Sequence, residues 1–154
     1  MKIGIDPGCS GALAVMSEDG RCAAHLLMPT IKVGTKSRGN GAAGAAFRRE
    51  HATLGGHACL EQVGARPGQG VSSMFTFGHA AGVVEGLLQG LGISYTLVTP
   101  QAWKKRAGLI GKDKDAARSS AIPLYPELRV LDLQGKGQAV ADALLIARFG
   151  EASA

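Results

Sequence analysis

Aromatic residues make up only 5% of this 154-residue chain, and it has only three cysteines. So few rings leave the core to aliphatic side chains and alanine. Cys9, Cys22 and Cys59 are odd in number and show no CxxC spacing. That excludes a disulfide framework and a thiolate zinc site, and it favours a reducing compartment in which each cysteine is a small buried hydrophobe. The four histidines, His25, His51, His57 and His79, form no HxxH or HExxH motif, so zinc chemistry is disfavoured and structural roles are expected. No GxxxxGK[ST] loop occurs, and no nucleotide cofactor is expected. No uncharged apolar run approaches the roughly 18 residues of a membrane span. The N-terminus meets Asp6 and Pro7 before any long apolar run, so neither a secretory signal nor a membrane location is expected, and the chain reads as cytoplasmic.

What is present is 45% hydrophobic residues, enough for one domain over 1–154 to bury about two-thirds of its unfolded surface. Lys and Arg number 17 against 12 Asp and Glu, a net charge of +5 that favours an anionic partner. Glycine is abundant, with 23 residues flanked by apolar segments, as in tight turns and close-packed helix faces.

Lys2–Asp6 reads as a strand ended by Pro7-Gly8, Ala12–Met16 as a second, and Cys22–Met28 as a third after a hairpin turn at Glu18-Asp19-Gly20. Connections this short require antiparallel pairing. Residues 29–45 are glycine-rich, polar and basic and are expected to form a mobile loop. A helix is expected through Phe47, His51 and Leu54, starting as early as Ala42, then a strand over Ala58–Val63. A long helix capped by Ser72 or Ser73 carries Met74, Phe77, Ala81, Val84 and Leu88 on one stripe to about Gln89. A strand over Ile93–Val98, a short helix opened by Thr99-Pro100, and helices over about Asp113–Leu124 and Gln138–Phe149 follow.

Three acids interrupt apolar segments: Asp6 at the end of the first strand, Glu61 in Ala58–Val63, and Asp142 in Ala139–Ala147. An unpaired carboxylate in such a place is costly, and none has an obvious basic partner, so a shared cation is the economical reading. Hard oxygen ligands suit Mg²⁺, with Mn²⁺ as substitute. Carboxylates with Mg²⁺ are the apparatus of phosphodiester hydrolysis, in which two ions activate water and stabilise the leaving oxygen.

Several segments resemble the RuvC family of Holliday junction resolvases, especially its bacteriophage and prophage members. They are Ile3-Gly4-Ile5-Asp6-Pro7-Gly8, Cys59-Leu60-Glu61-Gln62-Val63, the run from Pro67 to Gly78, Val98–Lys105, Lys112–Arg118 and Ala141–Ala147. The resemblance spans nearly the whole chain in order. It implies an α/β, ribonuclease H-like fold: a five-stranded mixed sheet of order 3-2-1-4-5 flanked by helices, with Asp6 on the central strand, Glu61 on its neighbour and Asp142 on the last helix. It also implies a crossover junction endodeoxyribonuclease, a homodimer acting on four-way junctions or other branched DNA, with two Mg²⁺ ions when DNA is bound. Lys112 or Lys114 resembles the family's basic residue near the active site, and Lys114 is counted with the catalytic residues. The long helix, with its small-residue face, is the candidate for part of the dimer interface.

Two departures matter. Family members usually carry a fourth acid a few residues before the last one, where this chain has Gly137, Gln138 and Ala139. Asp132 or Asp115 could replace it, or the chain binds DNA with little or no turnover. The cellular members place an aromatic shortly after the second acid, where this chain has Gly64. Phe75 or Phe77 is the alternative, though core burial is expected for both, and Trp103 is expected to pack within the domain.

Six cations within fifteen residues, Lys104, Lys105, Arg106, Lys112, Lys114 and Arg118, form a candidate phosphate-binding strip, with Lys114 and Arg118 expected on one helix face. Lys32, Lys36, Arg38 and Arg66 are further candidates. Competing readings are a non-cleaving junction-binding protein, a nuclease for RNA hybrids, and a sugar-kinase-like relative, the last disfavoured by length.

Overall fold

The structure is a computed structural model and describes residues 1–51, 56–65 and 67–151. The chain runs β1 (Lys2–Asp6), β2 (Ala12–Met16), β3 (Cys22–Leu27), β4 (Thr30–Val33), β5 (Lys36–Gly39), α1 (Gly41–His51), β6 (His57–Glu61), α2 (Val71–Gly90), β7 (Tyr95–Val98), α3 (Pro100–Arg106), α4 (Ala116–Ala121), a 3₁₀ turn (Arg129–Asp132) and α5 (Gln134–Phe149). Five strands form one sheet in the order β3-β2-β1-β6-β7. The first three are antiparallel neighbours, and β6 and β7 join parallel beside β1. This is the expected 3-2-1-4-5 arrangement of a mixed sheet flanked by helices.

Side-chain size decides which helix covers which face. On β1 and β2 the large residues Ile3, Ile5 and Leu13 join Leu60 of β6 under Val84 and Leu88 of α2. The small residues Ala12 and Ala14 face Val140, Ala141, Ala143 and Leu144 of α5. At Gly4 the approach is closest: an added Cβ would overlap the Ala143 carbonyl oxygen and the Ala147 backbone of α5. Glycine is therefore required there for α5 to lie on β1. Trp103 and Leu109 close a third cluster with Cys59, Leu145 and Ile146.

Several boundaries differ from expectation. The segment from 29 to 45 is not a plain loop. Thr30–Val33 pairs antiparallel with Lys36–Gly39 around Gly34, whose φ of +62° suits only glycine well, and α1 starts at Gly41. The abundance of glycine masked the short strand-forming run Thr30-Ile31-Lys32-Val33. The third strand stops at Leu27 and the last begins at Tyr95. Neither Ser72 nor Ser73 caps α2; Gly70 is the capping residue and makes no side-chain bond. The helix expected over 113–124 shrinks to Ala116–Ala121, which leaves Lys114 in the turn before it, while α5 starts four residues early at Gln134. Leu54 lies outside the described residues. The expected turn at Glu18-Asp19-Gly20 forms, with Gly20 at φ +81°.

Candidate metal and nucleic-acid site

Strand alternation aims the first two acids. Gly4 faces α5, so Asp6, two residues on, falls on the same side. Cys59 also packs against α5, and Glu61 follows it by two. Because β1 and β6 are parallel, both acids stand at the same end of the sheet. The contact of Gly4 with Ala143 brings the preceding residue, Asp142, to that end as well.

Each carboxylate has its own donor. Asp6 Oδ1 accepts the Gly8 amide at 3.3 Å. Glu61 Oε1 accepts the indole N–H of buried Trp103 at 2.8 Å. Asp142 Oδ1 accepts from Gln138 Nε2 at 3.1 Å, one turn earlier on α5. Gly11 keeps the far side of Asp6 open, since a Cβ there would press on the Asp6 carbonyl and carboxyl.

The three acids sense one another. Burial is the main reason the Asp6 carboxyl is pushed up to about 6; the Glu61 charge and, more weakly, Asp142 add to this, against the Gly8 amide and Lys104. Burial also pushes Asp142 up to about 6, with Glu61 adding and the Gln138 amide and Lys104 opposing. Yet among the described residues no three Asp, Glu, His or Cys side chains gather tightly enough to hold one ion. The two observations agree once orientation is considered. The carboxylates are close enough to raise one another's proton affinity, yet each accepts a hydrogen bond from its own donor rather than converging on a common point.

The three carboxylates are hard oxygen donors, of the chemistry that Mg²⁺ rather than zinc accepts, but among the described residues they do not gather around one point. Among the described residues, Gln138 Oε1 is buried and accepts no hydrogen bond, and Arg48 Nε, away from these acids on α1, is the other buried atom left without one. The two acids considered as substitutes for the missing fourth are engaged elsewhere. Asp115 is held by Arg118 through two bonds of 2.7 and 2.8 Å, and Asp132 pairs with Arg129 at 3.1 Å.

Basic residues lie on both sides of the acids. Lys104 sits 5.2 Å from the centre of the Trp103 ring. With Lys112, Lys114, Asp113, Gln138 and Asp142 it lines a cavity of about 150 Å³. On the other side, Lys36 and Ser37 of the β4–β5 hairpin meet Ser72, Ser73, Phe77 and Cys9 around a cavity of about 370 Å³. Here Lys36 Nζ donates to Ser72 Oγ at 2.9 Å, and Lys32 Nζ to Ser37 Oγ at 3.1 Å. Arg38 is on the same hairpin and Lys105 is exposed on α3. Arg106 binds the Phe149 and Gly150 carbonyls, and Arg118 binds Asp115 and the Leu131 carbonyl, so both guanidinium groups are engaged within the fold. Arg66 lies outside the described residues.

No family model matches the chain, and a search of curated proteins finds no match. Among solved structures, Thermus thermophilus RuvC in complex with a Holliday junction substrate matches with a TM-score of 0.64 at 16% identity, covering 95% of this chain and 89% of that one. A second Thermus thermophilus RuvC structure gives 0.53 at 17% identity, with 97% and 96% covered. The fold is RuvC-type and ribonuclease H-like.

Within that RuvC-type frame two aromatics differ from the expectation of core burial. Phe75 is 68% exposed, and Phe77 is half-buried, its ring against Gly8 beside Asp6. Trp103 is buried, as expected, and in addition fixes Glu61. Sequence reasoning did not expect Gln138 to hydrogen-bond Asp142. Its signal was the four-residue spacing to Asp142, which puts both on one helix face. Among the described residues no helix is long and apolar enough to cross a membrane.

Proposed function

We propose that this chain binds branched DNA, with a four-way junction as its best substrate, and that its carboxylates form a weakened divalent-cation site giving slow or no strand cleavage. One observation carries this reading. Asp6, Glu61 and Asp142 occupy one end of the sheet among lysines, but do not gather around a point, and an amide stands beside the last of them. The RuvC-type fold supports it, since the matched relative is described in complex with a Holliday junction substrate.

Asp6, Glu61 and Asp142 are the proposed ligands of Mg²⁺ or Mn²⁺. A cation bound there supplies Lewis acidity, lowering the pKa of water and neutralising charge at phosphorus. Lys114, with Lys112 and Lys104 around the same cavity, steadies the phosphate. Lys32, Lys36, Arg38 and Lys105 extend the attraction along the backbone. A dimer fits two-fold symmetric junction arms. The outer face of α2 is the proposed contact: Val71 and Phe75 are exposed there, and Gly78, Gly82, Gly86 and Gly90 follow with open space around each. Membership among the bacteriophage or prophage type is part of the same proposal.

A fully active two-ion endonuclease is the second reading, favoured by the mutual electrostatic influence of the three acids. Gel shift and nicking of junction, flap, duplex and RNA-hybrid substrates with Mg²⁺ or Mn²⁺ test both. The expected result is preferential junction binding, with slow Mn²⁺-supported nicking that disappears in Asp6→Asn. Equal affinity for junction and duplex would sink the proposal, and rapid multiple-turnover nicking lost in Asp6→Asn would establish the second reading.

A further inference from the structure

We propose that the cavity between the β4–β5 hairpin and the first turns of α2 holds a sugar–phosphate unit of one DNA strand, with Lys36 on the phosphate. The site presupposes the branched-DNA reading above and gives one strand its place, beside the acids and independent of any cation.

Charge sets this cavity apart from the one lined by Lys104, Lys112 and Lys114. That cavity also contains Asp113 and Asp142, so its lysines face carboxylates of the fold. No acid lines the hairpin cavity, and α2 has none in its first turn. Among the described residues Lys32, Lys36 and Arg38 enter no ion pair. The two ammonium groups rest on neutral hydroxyls instead, Lys36 Nζ on Ser72 Oγ at 2.9 Å and Lys32 Nζ on Ser37 Oγ at 3.1 Å. A hydroxyl orients an ammonium without neutralising it, so the charge stays available to an anion.

Shape makes that anion part of a strand. Lys36, Ser72 and Ser73 are exposed, whereas Cys9, Thr76 and Phe77 are half-buried. Polar donors therefore stand at the rim, and ring, thiol and methyl group form the floor. A phosphate fills only the rim of a cavity of about 370 Å³; the apolar face of a deoxyribose suits the floor. The Phe77 ring also lies 3.3 Å from where a Cβ of Gly8 would be, two residues from Asp6, so a strand seated here continues toward the carboxylates.

The hairpin is held in position for this contact. Gly39 rests on Val83 of α2, where an added Cβ would meet Cγ1 at 3.4 Å, and the Cys9 thiol reaches the Ser37 carbonyl at 3.8 Å. Its cations stand at a fixed distance from the helix before DNA arrives, which lowers the ordering cost of binding.

Cys9 supplies a reporter in the full chain. Burial pushes the Cys22 and Cys59 thiols up to about 11, so at neutral pH a maleimide reacts first with Cys9, and peptide mass mapping reads the rate. Without divalent cation, saturating junction or oligothymidylate is expected to slow Cys9 modification several-fold, and inorganic phosphate to leave it nearly unchanged. Lys36→Met is expected to lower the slope of log K against log salt for oligothymidylate by about 0.7, the share of one phosphate on a single strand, while Lys36→Arg keeps it. The proposal is overturned if Cys9 reacts equally fast with and without bound DNA, or if inorganic phosphate protects it as well as a strand does. An unchanged slope in Lys36→Met overturns it too. Junction binding that persists with Cys9 unprotected leaves the branched-DNA reading standing and removes this site. A chain that binds neither junction nor oligothymidylate loses both.

Discussion

Asp6 and Asp142 are held in a place that disfavours their charge, and this has a consequence for stability. Both folded-state values rise from 3.8 to about 6, chiefly through burial. Between these values the folded form binds more protons than the unfolded form, so stability falls as pH rises from about 4 to about 6 and stays reduced above. A shift of this size corresponds to roughly 1–3 kcal/mol per group, less where the two are coupled. Asp6→Asn should therefore raise the cation-free melting temperature at pH 7.5, with the gain shrinking at pH 4.5. A melting temperature unchanged or lowered at pH 7.5 would contradict the burial argument. Trp103→Phe removes the indole hydrogen bond to Glu61 while nearly keeping the packing. Loss of a bond to a charged group should cost about 1.5–3 kcal/mol in thermal or urea unfolding.

The elements explain why distant residues meet. α5 reaches the end of β1 only because Gly4 lets its backbone touch the strand, which sets Asp142 beside Asp6. Gly4→Ala should destabilise by about 3 kcal/mol or more and should also weaken Mn²⁺ binding in whatever fraction folds. Titration and urea unfolding on the same sample check both effects. On α2 the expectation has the opposite sign. Gly82 and Gly86 face open space, so Gly→Ala at each should stabilise the monomer by about 0.5–1 kcal/mol. A larger Gly82→Arg change should separate the proposed dimer into monomers in analytical ultracentrifugation. A dimer that persists with Gly82→Arg would move the interface elsewhere. The β4–β5 hairpin, where the sequence suggests a loop, carries Lys32, Lys36 and Arg38 on paired strands rather than on free chain. Its cations start from a defined geometry.

For the molecule as a whole, charge is distributed so that lysines flank the acids on two sides, while two arginines of the basic strip serve the fold. Arg106 ties α3 to the end of α5, and Arg118 ties α4 to the 3₁₀ turn. The salt dependence of junction binding should therefore follow the lysines. Replacing Lys104, Lys112 and Lys114 together by Ala is expected to reduce the slope of log K against log salt by about 2–3, since each phosphate neutralised by a lysine adds about 0.9. An unchanged slope would place the DNA on another face.

The sequence by itself determined the antiparallel run of the first three strands and singled out the three acids, while the full strand order was implied only by the resemblance to the RuvC family. Alternation along β1 and β6 puts Asp6 and Glu61 on the side of Gly4 and Cys59, and acids inside apolar runs are rare enough to be read without coordinates. Only the tertiary structure decided what surrounds them. Trp103 as the partner of Glu61, the engagement of Asp115 and Asp132 by arginines, the exclusion of side chains at Gly137 and the unpartnered oxygen of Gln138 all depend on how separate elements pack together. Local pattern sets the direction a residue faces, whereas what it meets there depends on how closely the helices pack onto the sheet.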